Sequence, residues 1–280
     1  MILVLDLMGI HPSYASFTIR AAMMRAAYRV LFLGMLCLLA GCATRDGDNT
    51  LQTLSHSPWA AASLRTADPD AWHHQTFPGK RSSQYSYKRK AGRDAVMVQA
   101  HASASMLRQR VRIEPDALGQ LRFSWLVPAL IVQADLAQRD ADDAPVRLVL
   151  AFEGNRTRFS AKDSALSDLS EALTGEPLPY ATLMYVWSNQ RAAGTVIHNP
   201  RTSRIRKLVM ETGEGRLGQW LDYERDVQAD FLQAFGEPPG AMVAIGIMTD
   251  TDNTRAQALA WYGALQHHPR SAKPVTAQVD

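Results

Sequence analysis

Leu107-Arg108-Gln109-Arg110-Val111-Arg112-Ile113 decides the fold class. Successive side chains of an extended strand point to opposite faces. Leu107, Val111 and Ile113 therefore share one face, and Arg108, Arg110 and Arg112 share the other. A strand with one wet face belongs to an antiparallel sheet packed on one side.

The same period continues outward in both directions. Leu121, Phe123, Trp125 and Val127 alternate with Gln120, Arg122 and Ser124. Upstream, Tyr85 and Tyr87 mark a strand over 84–88, and 95–99 reads as another. Downstream, Val146, Leu148, Leu150 and Phe152 point one way, while 181–187 and 241–249 are apolar on both faces and are expected to be buried. Shorter strands are expected at 195–198 and 205–210, and 259–266 closes the domain as a strand or short helix. A short helix over 164–173 is capped by Ser164 or Asp163 and stops near Gly175. A better signalled helix starts at Asp222 as cap, repeats Tyr223, Val227, Phe231 and Phe235 with Leu232 beside them, and ends at Gly236 before Pro238-Pro239. About nine strands against one sure helix predict an all-β chain: an antiparallel β-sandwich, jelly-roll-like, with one packed α-helix, after an N-terminal signal helix.

The N-terminus carries a different message. Val30 to Ala40 is an apolar run preceded by Arg20, Arg25 and Arg29. It is too short for a bilayer, which needs about 20 apolar residues, and reads as the core of a signal peptide. Leu39-Ala40-Gly41-Cys42 resembles the lipobox of bacterial lipoproteins. The resemblance implies cleavage before Cys42 and acylation of its sulfur, and Ala43 after the cysteine implies the outer rather than the inner membrane. The apolar MILVLDLMGI ahead of the basic residues is out of place in a signal peptide, so translation is expected to start at Met23 or Met24. The expected organisation is a signal peptide over 1–41, a lipidated polar tether over 42–70, a sandwich domain over 71–268 and a polar tail over 269–280.

Composition is that of a globular protein, with 46% apolar and 20% charged residues. A net charge of +3 is too small to call for a nucleic-acid partner. With Cys37 removed and Cys42 acylated, no thiol pair remains for a disulfide or a cysteine metal site. There is no glycine-rich phosphate loop, G-x-S-x-G elbow or H-E-x-x-H pattern.

Two acidic loops carry what chemistry the sequence offers. Asp140, Asp142 and Asp143 precede the strand at 146, and Asp250-Thr251-Asp252-Asn253-Thr254 follows an apolar strand. The second loop reads first as a turn, since Asp and Asn bond their own backbone. Its alternating oxygens at Asp250 and Asp252 also suit a hard cation such as Ca²⁺, though not as an EF-hand: Arg255 stands at the glycine position and Trp261 at the bidentate glutamate. If the loops meet in space, Asp142, Asp143, Asp250 and Asp252 supply paired acids for glycoside hydrolysis. Alternatively Arg147 or Arg255 neutralises them in a structural ion network. Trp125, Arg147, Asp250, Asp252 and Asn253 are the candidate ligand contacts, Trp125 by stacking on a sugar. The arginine row, with Arg122, suits anionic glycans or lipid head groups, or is simply a solvated face.

Several segments together resemble a bacterial domain family of unknown function, numbered three-zero-four-seven. They are Asp142 to Arg147, Leu183 to Trp187, Arg225-Asp226-Val227 through Phe235-Gly236, and above all Ile247 to Thr254 with Tyr262-Gly263. The resemblance spans residues 72–267 and imports no activity. The expectation is a lipid-anchored cell-envelope protein, facing the periplasm from the outer membrane, that binds a glycan or another envelope component without turnover. The alternative is a hydrolase or lyase acting on a polysaccharide through 140–143 and 250–253.

Overall fold

The computed structural model describes residues 53–64 and 72–270. The expected signal segment, Cys42 and the tail beyond residue 270 lie outside the described residues. Among the described residues, no helix is long and apolar enough to cross a membrane.

The chain folds as two packed sheets. A seven-stranded sheet runs β1 (Trp72–Thr76), β4 (Ser105–Ile113), β11 (Met242–Asp250), β6 (Ala144–Phe152), β7 (Ala181–Ser188), β9 (Ile205–Thr212) and β8 (Val196–His198). A six-stranded sheet runs β10 (Trp220–Asp226), β5 (Gln120–Leu126), β12 (Gln257–Tyr262), β3 (Arg93–His101) and β2 (Gln84–Lys90), with β13 (Gln266–His268) also on β5. Pairing is antiparallel except between β7 and β9, which run parallel. This is the expected all-β sandwich.

The core lies between the sheets. Phe123 and Trp125 of β5 face Tyr185 of β7, and the Phe123 and Tyr185 rings stack at 5.4 Å with planes 6° apart. Leu148, Leu150, Leu183, Ile245 and Ile247 fill the seven-stranded side, and Val96, Val98 and Tyr262 the other. As expected for a strand apolar on both faces, β7 is central.

Among the described residues three α-helices flank the sandwich: α1 (Pro58–Ala62), α2 (Ala161–Thr174) and α3 (Val227–Phe235). The helix expected from Asp222 starts later. Trp220 to Asp226 pairs in register with Leu126 to Gln120 as β10, and Asp226, not Asp222, caps α3 by accepting from Ala229 N–H at 3.0 Å. Open edge backbone on β5 outweighs the four-residue spacing of Tyr223 and Val227. Gly236 ends α3 in the left-handed conformation, as expected. Helix α2 is longer than expected because Ser160 caps it, accepting from Asp163 N–H at 3.1 Å; Gly175 ends it.

The expectation of a structureless tether as far as residue 70 does not hold over 53–64. Leu54 and Trp59 are fully buried, Trp59 Nε1 donates to Gly263 O at 2.9 Å, and its ring lies 4.8 Å from that of Trp72. Leu64 N–H donates to Leu265 O at 2.7 Å. Two large apolar side chains suffice to dock a five-residue helix that has no sustained period of its own.

Candidate functional site: a closed acidic network behind an open cleft

Residues facing away from the core on the seven-stranded sheet form a grid set by strand register. One row reads Met106, Met248, Arg147, Val186; the next Arg108, Gly246, Val149, Met184, Lys207; the next Arg110, Ala244, Ala151, Thr182, Ile205. Charge sits at the β4 edge and in the buried corner of Arg147 and Lys207. The middle is apolar.

The buried corner is where the two acidic loops meet. The segment 130–143 folds across it, placing Leu136 against Val186 and Val209. Arg147, 3% exposed, donates from Nε to Asp250 Oδ1 at 2.9 Å and from Nη2 to Asp142 Oδ1 at 2.9 Å and Asp142 O at 2.8 Å. Lys207, fully buried, donates to Asp142 Oδ2 at 2.5 Å and Leu136 O at 2.7 Å. Ala144 N–H also donates to Asp250, at 3.0 Å. Asp143 accepts from Asn253 N–H and Nδ2 and from Thr254 N–H and Oγ1, at 2.6–3.2 Å. Asp252 pairs with Lys80.

Electrostatics follow from burial. Burial lifts Asp250 to about 6 against the pull of Arg147, with Asp143 and Asp142 pushing the same way. Burial also pushes Asp142 up, but Arg147 and Lys207 outweigh it and hold it below the ordinary carboxylate value. Burial lowers Lys207 to about 8.

One oxygen each from Asp143, Asp250 and Asp252 lies within 4.8 Å of the others. Calcium takes six to eight oxygens, and here those oxygens already accept from Arg147, Lys80 and backbone and side-chain N–H groups. The donor set suits an ion network better than a cation. The loops thus converge, as hydrolysis would require, but beneath a covering loop rather than in a cleft. Trp125, taken as a stacking platform, is fully buried in the core. Its large side chain occupies an inward position on β5, which the alternation of 121–127 already implied. Arg147 and Asp250 are buried as well; Asp252 and Asn253 reach the surface only partly.

The open feature is a cleft of about 1220 Å³ over the grid. Its floor includes Met106, Met184, Met248, Val149 and Ala151, and α2 roofs it with Leu166, Leu169 and Leu173. Gly246 keeps the floor flat: a Cβ there would lie 2.7 Å from Met106 Sδ. Polar contacts hold α2 at both ends. At the N-terminus Asp163 accepts from Ser203 Oγ at 2.6 Å and Thr202 Oγ1 at 2.5 Å; burial would raise it, but these bonds and Ser160 lower it to about 2. Past the C-terminus Glu176 accepts from Arg108 at 2.9 and 3.1 Å and from Arg110. Between these ends the leucine ridge stays unpacked, with Leu169 54% and Leu173 60% exposed.

The arginine row splits. Arg108, Arg110 and Arg112 line the cleft, whereas Arg122 lies on the other sheet and pairs with Glu224. Sequence reasoning missed the floor because strands apolar on both faces read as buried twice over. In β7 and β11 one face is core and much of the other is the cleft. The signal available was the thioethers Met106, Met184 and Met248 at outward positions.

No curated protein matches the chain. Among solved structures, the xyloglucanase domain of NopAA, a type three effector from Sinorhizobium fredii in complex with cellobiose, is 10% identical, with 77% of this chain and 99% of that one covered at a TM-score of 0.37. The endo-1,4-beta-glucanase CelB2, a cellulase in its native structure, is 8% identical, with 69% and 82% covered at a TM-score of 0.33. A family model matches residues 70–266, which contain both the acidic network and the cleft, and by that match the chain belongs to the protein family of unknown function DUF3047.

Proposed function

We propose that the chain is a lipid-anchored cell-envelope protein whose sandwich is a binding module, with the outer-face cleft as its ligand site. The supporting observation is that chemistry and access are separated. The carboxylates suited to hydrolysis spend their oxygens on Arg147, Lys207, Asn253 and Thr254, within and beneath the 130–143 loop. The accessible cleft offers arginines and apolar side chains. A ligand held there is an envelope component, a glycan or a lipid, kept near the membrane by acylated Cys42 in the outer membrane, facing the periplasm.

The alternative, a polysaccharide hydrolase or lyase, needs the 130–143 loop to swing aside and present Asp250. One experiment separates the two. The full chain is incubated with envelope polysaccharides, and retention and reducing-end release are both measured. Release that disappears in Asp250→Asn establishes the enzyme. Retention without release favours the binding module; no retention on any envelope polymer counts against it. The anchor is tested by feeding cells an alkyne fatty acid: label on the wild type and none on Cys42→Ser is expected, and an unlabelled wild type refutes it.

A further inference from the structure

We infer that the cleft takes a long-chain carboxylic acid, its alkyl chain between α2 and the sheet and its carboxylate at the β4 edge. The inference rests on the binding-module reading and names the ligand of that same cleft.

The floor comes first. Met106, Met184 and Met248 are unbranched thioethers that adapt to an irregular apolar guest. Above them stand Leu169 and Leu173, more than half exposed although they face an apolar surface. An alkyl chain laid between would take both apolar sides out of water, more so with each methylene added. At about 1220 Å³ the cleft exceeds the roughly 300–1,000 Å³ of ordinary small-molecule sites, so length is no obstacle. The central floor is aliphatic and thioether, with few groups to bond the hydroxyls that ring a sugar.

Charge complementarity fixes the head group and its position. Arg108 and Arg110 share one carboxylate, Glu176, while Arg112, further along β4, pairs with Glu114 and Glu153; with Arg156 the lining holds four arginines against three glutamates, a net positive charge beside the apolar floor. Arg110 keeps 68% of its side chain in solvent, free to present a fork to a second carboxylate. Cations at one edge and an apolar strip leading away from them match a molecule with one anionic end.

The test uses the full chain purified in digitonin, which has no alkyl chain. A dansyl-labelled undecanoic acid is the probe, and fluorescence is the readout. Saturable binding is expected, displaced by palmitic acid and about tenfold less well by hexadecanol. Leu169→Ser with Leu173→Ser changes two exposed positions, so folding should persist, checked by an unchanged thermal midpoint. That double variant should bind about tenfold more weakly. Arg110→Gln should abolish the preference for acid over alcohol. Failure of palmitic acid to displace the probe, undiminished binding by the double variant, or displacement by phospholipid vesicles alone would overturn the inference. A parallel arm passes the same proteins over immobilised envelope polysaccharides. Glycan retention lost in the double variant, with no acid binding, removes the fatty-acid ligand but keeps the cleft as a binding site. No binding in either arm removes both.

Discussion

Arg147 is the residue on which the acidic corner depends. Its guanidinium bridges two carboxylates that the fold has taken out of water, with Lys207 supplying the second positive charge. Breaking a buried ion pair from one side leaves the other charge uncompensated, which costs about 3–5 kcal/mol. Arg147→Ala should therefore lower the unfolding free energy by that much in urea titration; a loss under 1 kcal/mol would mean that water reaches the corner. Asp250 makes the pH dependence legible. Its carboxyl is lifted from the ordinary 3.8 to about 6, so folding favours the protonated form. Its stabilising contribution is complete below 3.8 and is lost as pH rises through about 6, a difference of roughly 3 kcal/mol. Asp250→Asn keeps an oxygen for Arg147 and removes this titration. The urea midpoint of the wild type should fall relative to the variant between pH 4 and 7, and parallel curves would refute the assignment. His74 and His267, lowered by burial, titrate in both proteins and cancel. Sequence alone showed that Arg147 and the two acidic loops could form a network. It gave no hint of Lys207, because a lysine in a strand reads as exposed until the covering loop and Leu136 O are seen.

Secondary structure was legible where an alternation or a continuous apolar run marked it, and obscure where neither did. The alternation in β4 and β5 located both sheets, whereas α1 gave no period at all. Helix α1 shows what a short element can contribute through one side chain. Trp59 fills a buried site against Trp72 and satisfies Gly263 O, at a position where Gly263 itself admits no Cβ, since one would meet Ser124 Oγ at 2.1 Å. Trp59→Ala removes a fully buried indole and should cost about 3–5 kcal/mol. The loss should be local as well as global: amide exchange at Leu64, which donates to Leu265 O, and at Leu265, which donates to Ser63 Oγ, should accelerate more than exchange in β6. Uniform acceleration would show that α1 is cooperative with the whole sandwich rather than a docked clasp. Helix α2 is built on the opposite plan, fixed at its ends by Asp163 and Glu176 and left unpacked between them. The short sequence period over 164–173 could locate the helix but not reveal that its apolar stripe looks into open space.

At the scale of the molecule, the docking of 53–64 changes where the domain can sit. A tether from Cys42 to residue 70 would allow a stand-off of nearly 100 Å at about 3.5 Å per residue. With Thr53 already part of the folded body, residues 43–52 alone separate it from the proposed lipid. Ten residues reach at most about 35 Å, whatever conformation they adopt. Acylation at Cys42 would thus hold the end of the sandwich that carries α1 close to the head groups, within easy transfer distance for a ligand leaving the bilayer. A dye on Ala61, which is exposed on α1, and an acceptor in the lipid surface turn this into a distance measurement. Energy transfer in native vesicles should report a separation below about 50 Å, the reach of residues 43–52 plus the rise from residue 53 to Ala61, and Trp59→Ala, by undocking α1, should broaden the distribution. A single distance well beyond that reach would place the anchor elsewhere than Cys42, because no arrangement of ten residues spans it.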